Sequence, residues 1–333
     1  MGNAGPGPRG TGDVFLGLDA GGTRVRAVAA DAHRVLGRGT GGPGNALSVP
    51  PDALADHLTA AVTGALPPAA APRLRGVAAG VAGVSWLLDD DPGRTALLTA
   101  LRRALARAGA PREVPLDVRS DVEVAFASGP GAPADGLLVL AGTGCAAVRF
   151  AAGQVVATVD AHGWLLDDAG SGHWIGRHAA RAALRALDGR GPWTALVPAL
   201  TARLTARVTA PPAARRERER VRAHLLAALL AASPPALAQL CPLVVRAAED
   251  GDAVAAALLD DAVHALVTSV RALEPAPNEP VVTTGGLLGP DGPLLPRLTR
   301  RLVALGLHPR PVVDGTAGAV TMARRLGAPP AAG

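Results

Sequence analysis

The sequence contains no lysine and no tyrosine, so arginine supplies all 33 of its strongly basic side chains. The lack of lysine excludes a Walker A loop and a protein-kinase site, because each needs a lysine on the phosphates. It also excludes Schiff-base catalysis and the anchoring of pyridoxal phosphate. If this chain binds ATP, it must hold the phosphates with backbone amides, arginines and a metal ion.

Cysteine is almost as scarce, since Cys145 and Cys241 are the only two thiols. Two distant cysteines cannot form a disulfide framework, and this usage is typical of a reducing cytoplasm. Neither has a cysteine neighbour of the kind that a bridging iron–sulfur cluster needs. His162, His173 and His178 lack the i, i+4 spacing of a helical zinc pair, so we expect no zinc site among them.

Long apolar runs are absent as well. Although 49% of the residues are hydrophobic, no run of about eighteen lacks polar or charged residues, and a membrane span needs that length. Residues 1–13 are rich in glycine and proline, and we predict disordered tails at 1–13 and 327–333 rather than a signal peptide. The sequence therefore predicts a cytoplasmic protein with no membrane partner.

The formal charge is a modest +5. The arginine-rich segment 215–222 interleaves carboxylates and has no neighbouring aromatic residue for base stacking. This pattern is typical of a solvated helix face, so we expect no nucleic-acid partner.

The most informative stretch that is present spans residues 17–28 and reads GLDAGGTRVRAV. A buried strand stops at Asp19, Gly21 and Gly22 form a turn, and an alternating apolar strand follows. Bare backbone amides in such a turn favour an anion, most often phosphate, and an adjacent carboxylate then implies a bridging cation. A Mg²⁺-nucleotide site satisfies both requirements, although an ordinary hairpin with a solvated aspartate fits these residues equally well.

The same pattern of strand, glycine turn and strand recurs at residues 137–150, and a third glycine turn follows a strand at 283–287. We interpret the recurrence as an internal duplication. Gly142, Gly144 and Ala147 also match the dinucleotide fingerprint G-x-G-x-x-A, but that motif needs a helix after the turn, whereas residues 146–150 alternate as a strand does.

Apolar periodicity and punctuation by glycine and proline predict the remaining elements. Ser120 is predicted to cap a helix that begins at Asp121. Further strands are predicted at 34–39, 75–82, 114–118, 280–287 and 309–313, and helices at 51–66, 94–108, 172–187, 294–305 and 315–326, with three or four more before 273.

These features resemble the superfamily of actin, heat-shock chaperones and hexokinase, and within it the N-acetylglucosamine kinase branch of the BadF/BcrA-type ATPase family. The resemblance extends from Val14 to about Leu326. Its most specific segments are LDAGGT at 18–23, GPGN at 42–45, LAGTG at 140–144 and HGWLLDDAGSGHWIG at 162–176. It implies an α/β fold of two duplicated ribonuclease-H-like domains flanking a nucleotide cleft. We expect an N-terminal domain at 14–130 and a C-terminal domain with a helical insertion at 131–326, with the last helix packing back on the first domain.

The resemblance also implies roles for individual residues. Asp19 matches the aspartate that orients Mg²⁺ through water, and Asp121 matches the base that accepts the sugar hydroxyl proton. Asn45 and Asp168 match residues that bind the sugar. The remaining matches are phosphate-binding, adenosine-binding and further sugar-contacting positions: Gly21, Gly22 and Thr23 in the first phosphate loop, Gly142, Thr143 and Gly144 in the second, Gly285 and Gly286 in the adenosine loop, and Thr143, Gly144, His162 and Gly163 against the sugar.

Two departures from the family pattern fall on the sugar side. Asp167 and Ala169 replace a glycine and a glutamate of the family's Gly-Asp-Glu-Gly-Ser segment, and His162 stands within the family's Gly-Gly-Trp-Gly segment. Asp160 and Asp167 are interpreted as solvated loop charges. Trp86, Trp164 and Trp174 are candidates for stacking on a sugar, with burial expected for at least two of them.

The resemblance implies an ATP- and Mg²⁺-dependent kinase, a homodimer, that phosphorylates the 6-hydroxyl of N-acetylglucosamine or, as an alternative, glucosamine. Asp121 is expected to be the base for the sugar 6-hydroxyl, although an aspartate at a helix start is also favoured by the helix dipole alone. A non-catalytic sugar-sensing or actin-like module is the alternative of a different class.

Overall fold

The strands of this protein form two five-stranded sheets, one in each of two units. The structure is a computed structural model, and it describes residues 12–84, 92–205 and 214–327. Unit 1 comprises Met1–Ala134 and Asp314–Gly333, and unit 2 comprises Asp135–Val313. Trp86 and most of the two predicted tails lie outside the described residues.

Unit 1 is built on a sheet with the order β3-β2-β1-β4-β5. β1 and β2 are antiparallel, β2 and β3 are antiparallel, and β4 and β5 run parallel to β1. Its elements are β1 (Val14–Ala20), β2 (Val25–Ala30), β3 (Val35–Gly41), α1 (Pro51–Ala65), β4 (Leu74–Val81), α2 (Pro92–Arg107), β5 (Leu116–Ser120), α3 (Asp121–Ala127) and α10 (Thr316–Leu326).

Helices cover both faces of this sheet. Alternate residues of β1, including Leu16 and Leu18, pack with Leu58 of α1 and Leu101 of α2 in one buried cluster. Ala78 of β4 packs with α3 and α10 in a second, smaller cluster. Through these contacts the last helix of the chain forms part of the N-terminal unit. Just before β1, the carbonyl of Gly12 accepts a hydrogen bond from Arg73 (2.7 Å), and the Asp13 carboxylate accepts one from Arg75 (3.0 Å).

Unit 2 repeats the arrangement with the order β10-β9-β6-β7-β8. β6, β7 and β8 are antiparallel neighbours, and β9 and β10 are parallel to β6. Its elements are β6 (Gly136–Ala141), β7 (Cys145–Ala151), β8 (Gln154–Asp160), α4 (Gly172–Leu187), α5 (Leu196–Thr205), α6 (Arg215–Ala231), α7 (Cys241–Glu249), α8 (Ala253–Ala272), β9 (Pro280–Thr284), α9 (Leu295–Val303) and β10 (His308–Pro311).

One helix of unit 2, α8, is long and apolar enough to cross a membrane by length and composition alone. Leu259, Val263, Leu266 and Val270 of this helix are buried in the main cluster of unit 2 together with strands β6, β7 and β9. A core helix passes the same test of length and composition, and this burial identifies α8 as one.

The shared strand order agrees with the predicted duplication, and two elements correct the predictions in detail. β8 was not predicted, because the apolar Val156 lies on its exposed face between Gln154 and Thr158 and hides the alternation of a half-buried strand. β5 begins and ends two residues later than predicted, at Leu116–Ser120, because it runs directly into the start of α3 without a connecting loop.

Candidate active site

The candidate site of unit 1 lies where its parallel strands end. Asp19 is the penultimate residue of β1, and Asp121 directly follows β5. Val81 at the end of β4 is in register with Ala20 of β1 and with Ser120 of β5. Ligands of open α/β sheets bind outside these carboxyl ends, so the aspartates stand at the edge where a ligand is expected.

The first glycine turn joins β1 to β2 and is held by backbone hydrogen bonds. The amide of Gly21 donates to the carbonyl of Arg24 (3.0 Å), and the amide of Gly44 donates to the carbonyl of Gly21 (2.9 Å). Gly22 and Thr23 are exposed, and a Cβ atom at Gly22 would meet no atom within 4 Å. The turn therefore leaves open space beside its backbone for an anion.

Asp19 is largely buried, with 13% of its side chain exposed. Its Oδ2 accepts a hydrogen bond from the amide of Gly315 (3.1 Å) and lies 3.8 Å from the Arg26 guanidinium. Arg26 also lies 3.6 Å from Asp314, whose side chain is similarly buried. Burial raises the pKa of Asp19 and the Asp314 charge adds to the rise, while the Gly315 amide and Arg26 lower it.

The groups around Asp19 are suited to binding a divalent cation. Carboxylate oxygen is the donor that Mg²⁺ prefers, and two buried carboxylates, Asp19 and Asp314, carry more negative charge than Arg26 offsets. Sequence reasoning found Asp19 but missed Arg26 and Asp314, because Arg26 reads as an ordinary alternating strand residue and Asp314 comes from the other end of the chain.

Asp121 is the first residue of α3 and has the most strongly perturbed carboxyl group of this edge. The pKa of Asp121 is raised to about 7. Although the residue as a whole is only half-buried, desolvation of its carboxylate is the largest cause, and the negative charge of Asp19 is the second. The amides of Val122 and of Asp121 itself lower the pKa without cancelling the rise. The structure thus brings two of the predicted site residues within electrostatic reach of each other.

The start of α3 is fixed by Glu123, which sequence reasoning did not single out. The buried Glu123 carboxylate accepts hydrogen bonds from the amide (3.0 Å) and the hydroxyl (2.9 Å) of Ser120. Arg119 bridges Glu123 (3.2 Å) and Asp117 (2.9 Å). The interaction corresponds to the Glu half of a capping box, and the signal that could have revealed it is the spacing Ser-x-x-Glu.

Asn45 is joined to the same edge by its loop. The amide of Ala46 donates to the carbonyl of Ala82 (3.2 Å), and the amide of Ala82 donates to the carbonyl of Ala20 (2.9 Å). The Asn45 Oδ1 atom accepts from the amides of Leu47 (3.0 Å) and Ser48 (3.1 Å). Its carboxamide oxygen is thus occupied by its own loop, and the group it can offer a ligand is its NH₂.

In unit 2 the second glycine turn follows β6 and contacts the start of α4. The amide of Gly142 donates to the carbonyl of Gly144 (2.8 Å). The amides of Gly172 and His173 donate back to the carbonyls of Gly142 (2.8 Å) and Thr143 (3.2 Å). The turn is therefore held against the first residues of a sixteen-residue helix, whose amino-terminal dipole favours an anion.

The third glycine turn follows β9 and packs directly on the second. Gly285 has φ +94°, and a Cβ atom there would overlap the carbonyl of Ala141 at the end of β6. A Cβ atom at Gly142 would lie 3.9 Å from the amide of Gly286. The predicted phosphate and adenosine loops of unit 2 are therefore neighbours, and glycine is required at Gly285 for both its backbone conformation and its close approach.

The predicted sugar-binding segment of unit 2 has an unusual backbone. Asp160, Ala161 and Asp168 have positive φ values of 66°, 62° and 62°, as have Gly163 (83°) and Gly170 (101°). Left-handed conformations of residues other than glycine cost free energy and cluster at functional sites. Three such residues between Asp160 and Asp168, with two glycines of positive φ beside them, support a functional role for the segment.

Asp168 is the buried centre of this segment. It is 5% exposed, and its Oδ1 accepts from the amide of Gly163 (3.2 Å). The amide of Asp168 donates to Asp160 (3.1 Å), and a Cβ atom at Gly144 would lie 2.8 Å from Asp168 Oδ2. Burial and the charge of Asp160 raise the pKa of Asp168. Asp168, Gly163 and the second glycine turn are thus brought together in the structure.

Other expectations for this segment are wrong. The Asp160 side chain is only 6% exposed, so it is not a solvated loop charge, whereas Asp167 is exposed. Trp164 is 39% exposed and stands in tilted contact with His173 (5.8 Å between ring centroids), and Trp174 is half-buried and stacked on His178. Neither of these tryptophans is buried. His162 is exposed, with its Nδ1 3.9 Å from Asp160.

Two groups of side chains in this segment could hold a metal ion, because in each group one potential ligand atom per residue lies within 4.8 Å of the others. The groups are Cys145, Asp160 and Asp168, and Asp160, His162 and Asp167. The Cys145 thiol donates to Asp160 (3.4 Å), and burial raises its pKa far above the ordinary value. The hydrogen bonds that Asp160 accepts from the Cys145 thiol and from the Asp168 amide hold the first of these groups together.

The strand order, the duplicated units and the glycine turns at the strand ends define a protein of the actin-like ATPase and sugar-kinase fold, which confirms the predicted fold class. The solved structures most useful for comparison share this fold. An N-acetylglucosamine kinase, provisionally assigned, from Chromobacterium violaceum superposes with a TM-score of 0.70 at 23% identity, covering 93% of this chain and 98% of its own. A glucokinase of the ROK family from Streptomyces griseus, solved with glucose and AMPPNP, has a TM-score of 0.55 at 16% identity, covering 94% and 99%.

The family is shown by sequence. Residues 16–323 match the BadF/BadG/BcrA/BcrD ATPase family, and the chain belongs to it. It is also 26% identical over 313 residues to the N-acetyl-D-glucosamine kinase of Dictyostelium discoideum, across 87% of this chain and 90% of that one. These findings confirm the resemblance inferred from the motifs.

Proposed function

We propose that this protein is an ATP-dependent kinase that phosphorylates the 6-hydroxyl of an amino sugar, with N-acetyl-D-glucosamine preferred over glucosamine. The observation that carries the proposal is the Asp121 carboxyl group, which stands at the end of a parallel strand beside Asp19 with its pKa raised to about 7. The relation to the Dictyostelium kinase supports this choice of substrate.

In the proposed reaction the Asp121 carboxylate accepts the proton of the sugar hydroxyl. The hydroxyl oxygen forms a bond to the γ-phosphorus of ATP, the bond to the β–γ bridging oxygen breaks, and ADP leaves. A general base works best with a pKa near the working pH and contributes about 10²- to 10⁴-fold in rate. Burial of the Asp121 carboxylate and the neighbouring charge of Asp19 place its pKa in that range.

The phosphates are proposed to be held by backbone amides of the glycine turns at Gly21–Thr23 and Gly142–Gly144, with Gly285 and Gly286 beside the adenosine. Asp19 is proposed to hold Mg²⁺ through water. When bound, Mg²⁺ neutralises the negative charge of the transferring phosphoryl group. This scheme needs no lysine, which agrees with the composition of the chain.

On the sugar side we propose that the Asn45 NH₂ group and the buried Asp168 carboxylate bind hydroxyl or acetamido groups. Thr143, Gly144, His162 and Gly163 are proposed to complete this surface. Asp167 and Ala169, which depart from the family pattern, lie next to Asp168 in the chain, and they are the residues most able to change sugar preference. A cytoplasmic location and a homodimer belong to the same proposal.

The test is ADP release from Mg²⁺-ATP with a panel of N-acetylglucosamine, glucosamine, glucose and N-acetylmuramic acid. We expect N-acetylglucosamine to stimulate release most strongly. The matched control is 6-deoxy-N-acetylglucosamine, which lacks the proposed acceptor and should not stimulate release. Strong stimulation by glucosamine alone would correct the substrate, and no stimulation by any sugar would favour the sensing module.

A further inference from the structure

A cavity of about 370 Å³ lies in unit 2, at the carboxyl-terminal half of α4 and away from the glycine turns. Its cationic wall consists of Arg181 and Arg185 of α4 and Arg190 of the following loop. Ala182, Val254 and Leu258 form an apolar floor. We call this cavity the arginine pocket, and none of its lining residues has a role in the proposed kinase reaction.

A second cavity of about 430 Å³ adjoins it. The two share Pro192, Val254 and Leu258, and the second adds the half-exposed Trp193. We call this second cavity the apolar shelf. The two cavities together present three guanidinium groups on one side and an indole with aliphatic side chains on the other.

Two arginines of the neighbouring helix α6 have carboxylate partners that the two α4 arginines of this pocket lack among the described residues. In α6, Arg215 is paired with Glu219 one turn later (3.3 Å), and Arg222 is paired with Asp188 (2.7 Å). In the part of the chain that the structure describes, Arg181 and Arg185 have no carboxylate within ion-pair distance. Like charges one turn apart oppose each other on a helix, so this face carries an unfavourable charge arrangement that a bound anion would relieve.

Arg190 is held in place by the carboxylate of Asp188. Its guanidinium makes two contacts to Asp188, at 2.8 and 3.2 Å. Asp188 is already neutralised by Arg222 as well as Arg190, and these partners lower its pKa. The Asp188 carboxylate is therefore compensated, and its repulsion toward an incoming anion is weakened.

We propose that the arginine pocket and the apolar shelf bind a small phosphate monoester with a flat apolar body. A guanidinium group can donate two parallel hydrogen bonds to two oxygens of one phosphate. An exposed tryptophan beside aliphatic side chains can pack against a planar group. The site is independent of the proposed kinase reaction, because it shares no residue with it.

The test is isothermal titration calorimetry of the full chain with phenyl phosphate, compared with inorganic phosphate and with phenol. We expect phenyl phosphate to bind more tightly than either of the other two, because only it uses both halves of the site. The double variant Arg181→Ala/Arg185→Ala should weaken its binding by at least about tenfold, as expected for the loss of charge-assisted hydrogen bonds. Trp193→Ala should weaken phenyl phosphate but leave inorganic phosphate unchanged.

The matched control is Arg177→Ala, which removes an exposed arginine from the same helix at a position that does not line either cavity. Its binding of phenyl phosphate should stay within about twofold of the unmodified protein. If Arg177→Ala weakened the binding of phenyl phosphate as much as the double variant, the protein's net charge would be attracting the ligand. If the double variant bound phenyl phosphate as tightly as the unmodified protein, the ligand would bind outside the arginine pocket. No binding, with a change of oligomeric state in the double variant, would make this face an interface between copies. Each of these results would overturn the proposal.

Discussion

Units 1 and 2 share one strand order, yet different groups stand at the carboxyl ends of their equivalent strands. In unit 1 the first strand carries Asp19 as its penultimate residue, and the last parallel strand is followed by Asp121. In unit 2 the equivalent first strand is followed by Gly142, and the strand beside it by Gly285. At these strand ends unit 1 therefore carries two carboxylates beside its own glycine turn, whereas unit 2 carries a glycine turn after each of the two strands compared.

From this comparison we expect substitutions in unit 1 to change catalysis and substitutions in unit 2 to change the stability of the fold. Substitutions at the carboxylates of unit 1 should affect turnover with little loss of fold. Substitution of Gly285 in unit 2 should affect the fold first, because its backbone closely approaches that of Ala141. The following predictions test this division, beginning with the largest effect.

The largest effect is expected for Asp121→Asn. Loss of the proposed base should lower kcat by about 10²- to 10⁴-fold while leaving the thermal unfolding temperature within a few degrees of the unmodified protein. Sugar-dependent ADP release measures the first quantity and circular dichroism the second. The control is Asp117→Asn, which removes a carboxylate of the same strand that pairs with Arg119. A similar kcat for the two variants would contradict the role of Asp121.

The next largest effect is expected for Gly285→Ala. Its φ of +94° and its overlap with the Ala141 carbonyl should destabilise unit 2 by about 1–3 kcal/mol, the usual cost of such strain. Gly286→Ala is the matched control, because a Cβ atom at Gly286 would meet nothing within 4 Å. Differential scanning calorimetry should show a lowered transition for the first variant alone. Equal transitions would show that the close approach at Gly285 is not restrictive.

Much of this arrangement is predictable from sequence, because glycine turns after apolar strands are local signals. Asp19, Gly21, Gly142, Gly285 and the start of α3 at Asp121 all follow from strand and turn patterns. The duplication follows from recurrence of the same pattern. These features need no knowledge of which distant residues come into contact.

The rest depends on contacts between distant parts of the chain. Asp314 meets Asp19 only because α10 packs on the sheet of unit 1. Asp160 is buried by its hydrogen bonds with Asp168 and Cys145, whereas its sequence neighbourhood reads as a polar loop. Burial of a charged side chain by tertiary contacts leaves no periodic signal, which explains why these residues were missed.

A smaller effect is expected for Glu123→Ala. Loss of the hydrogen bonds to Ser120 should cost about 0.5–2 kcal/mol, the range for helix-cap substitutions, and should misplace Asp121. Glu123→Gln keeps an oxygen acceptor and should cost less. Urea unfolding compares both with Glu113→Ala, an exposed carboxylate loss on the same unit. If Glu123→Ala and Glu113→Ala were equally stable, the cap would have no energetic role.

The smallest effect is expected in the pH dependence of stability. The pKa of folded Asp121 is raised to about 7, so the folded state favours the protonated form. The stability that protonated Asp121 contributes is fully present below the pKa of Asp121 in the unfolded chain, and it is lost as the pH rises through the pKa of Asp121 in the folded protein. Between pH 6 and pH 8 the unmodified protein should lose about 1 kcal/mol of stability that Asp121→Asn retains. Urea unfolding of both proteins at the two pH values gives the difference, and parallel changes would contradict the raised pKa.

The most direct test of the division between the units is the pH dependence of kcat/KM for the preferred sugar at saturating Mg²⁺-ATP. With Asp121 as the base, the rate should rise with pH through an apparent pKa above the ordinary aspartate value, because its carboxylate is desolvated, and then level off. The residual activity of Asp121→Asn should lack that rise, while Asp117→Asn should keep it. An apparent pKa near the ordinary aspartate value, or the same rise in Asp121→Asn, would contradict the assignment of Asp121 as the base.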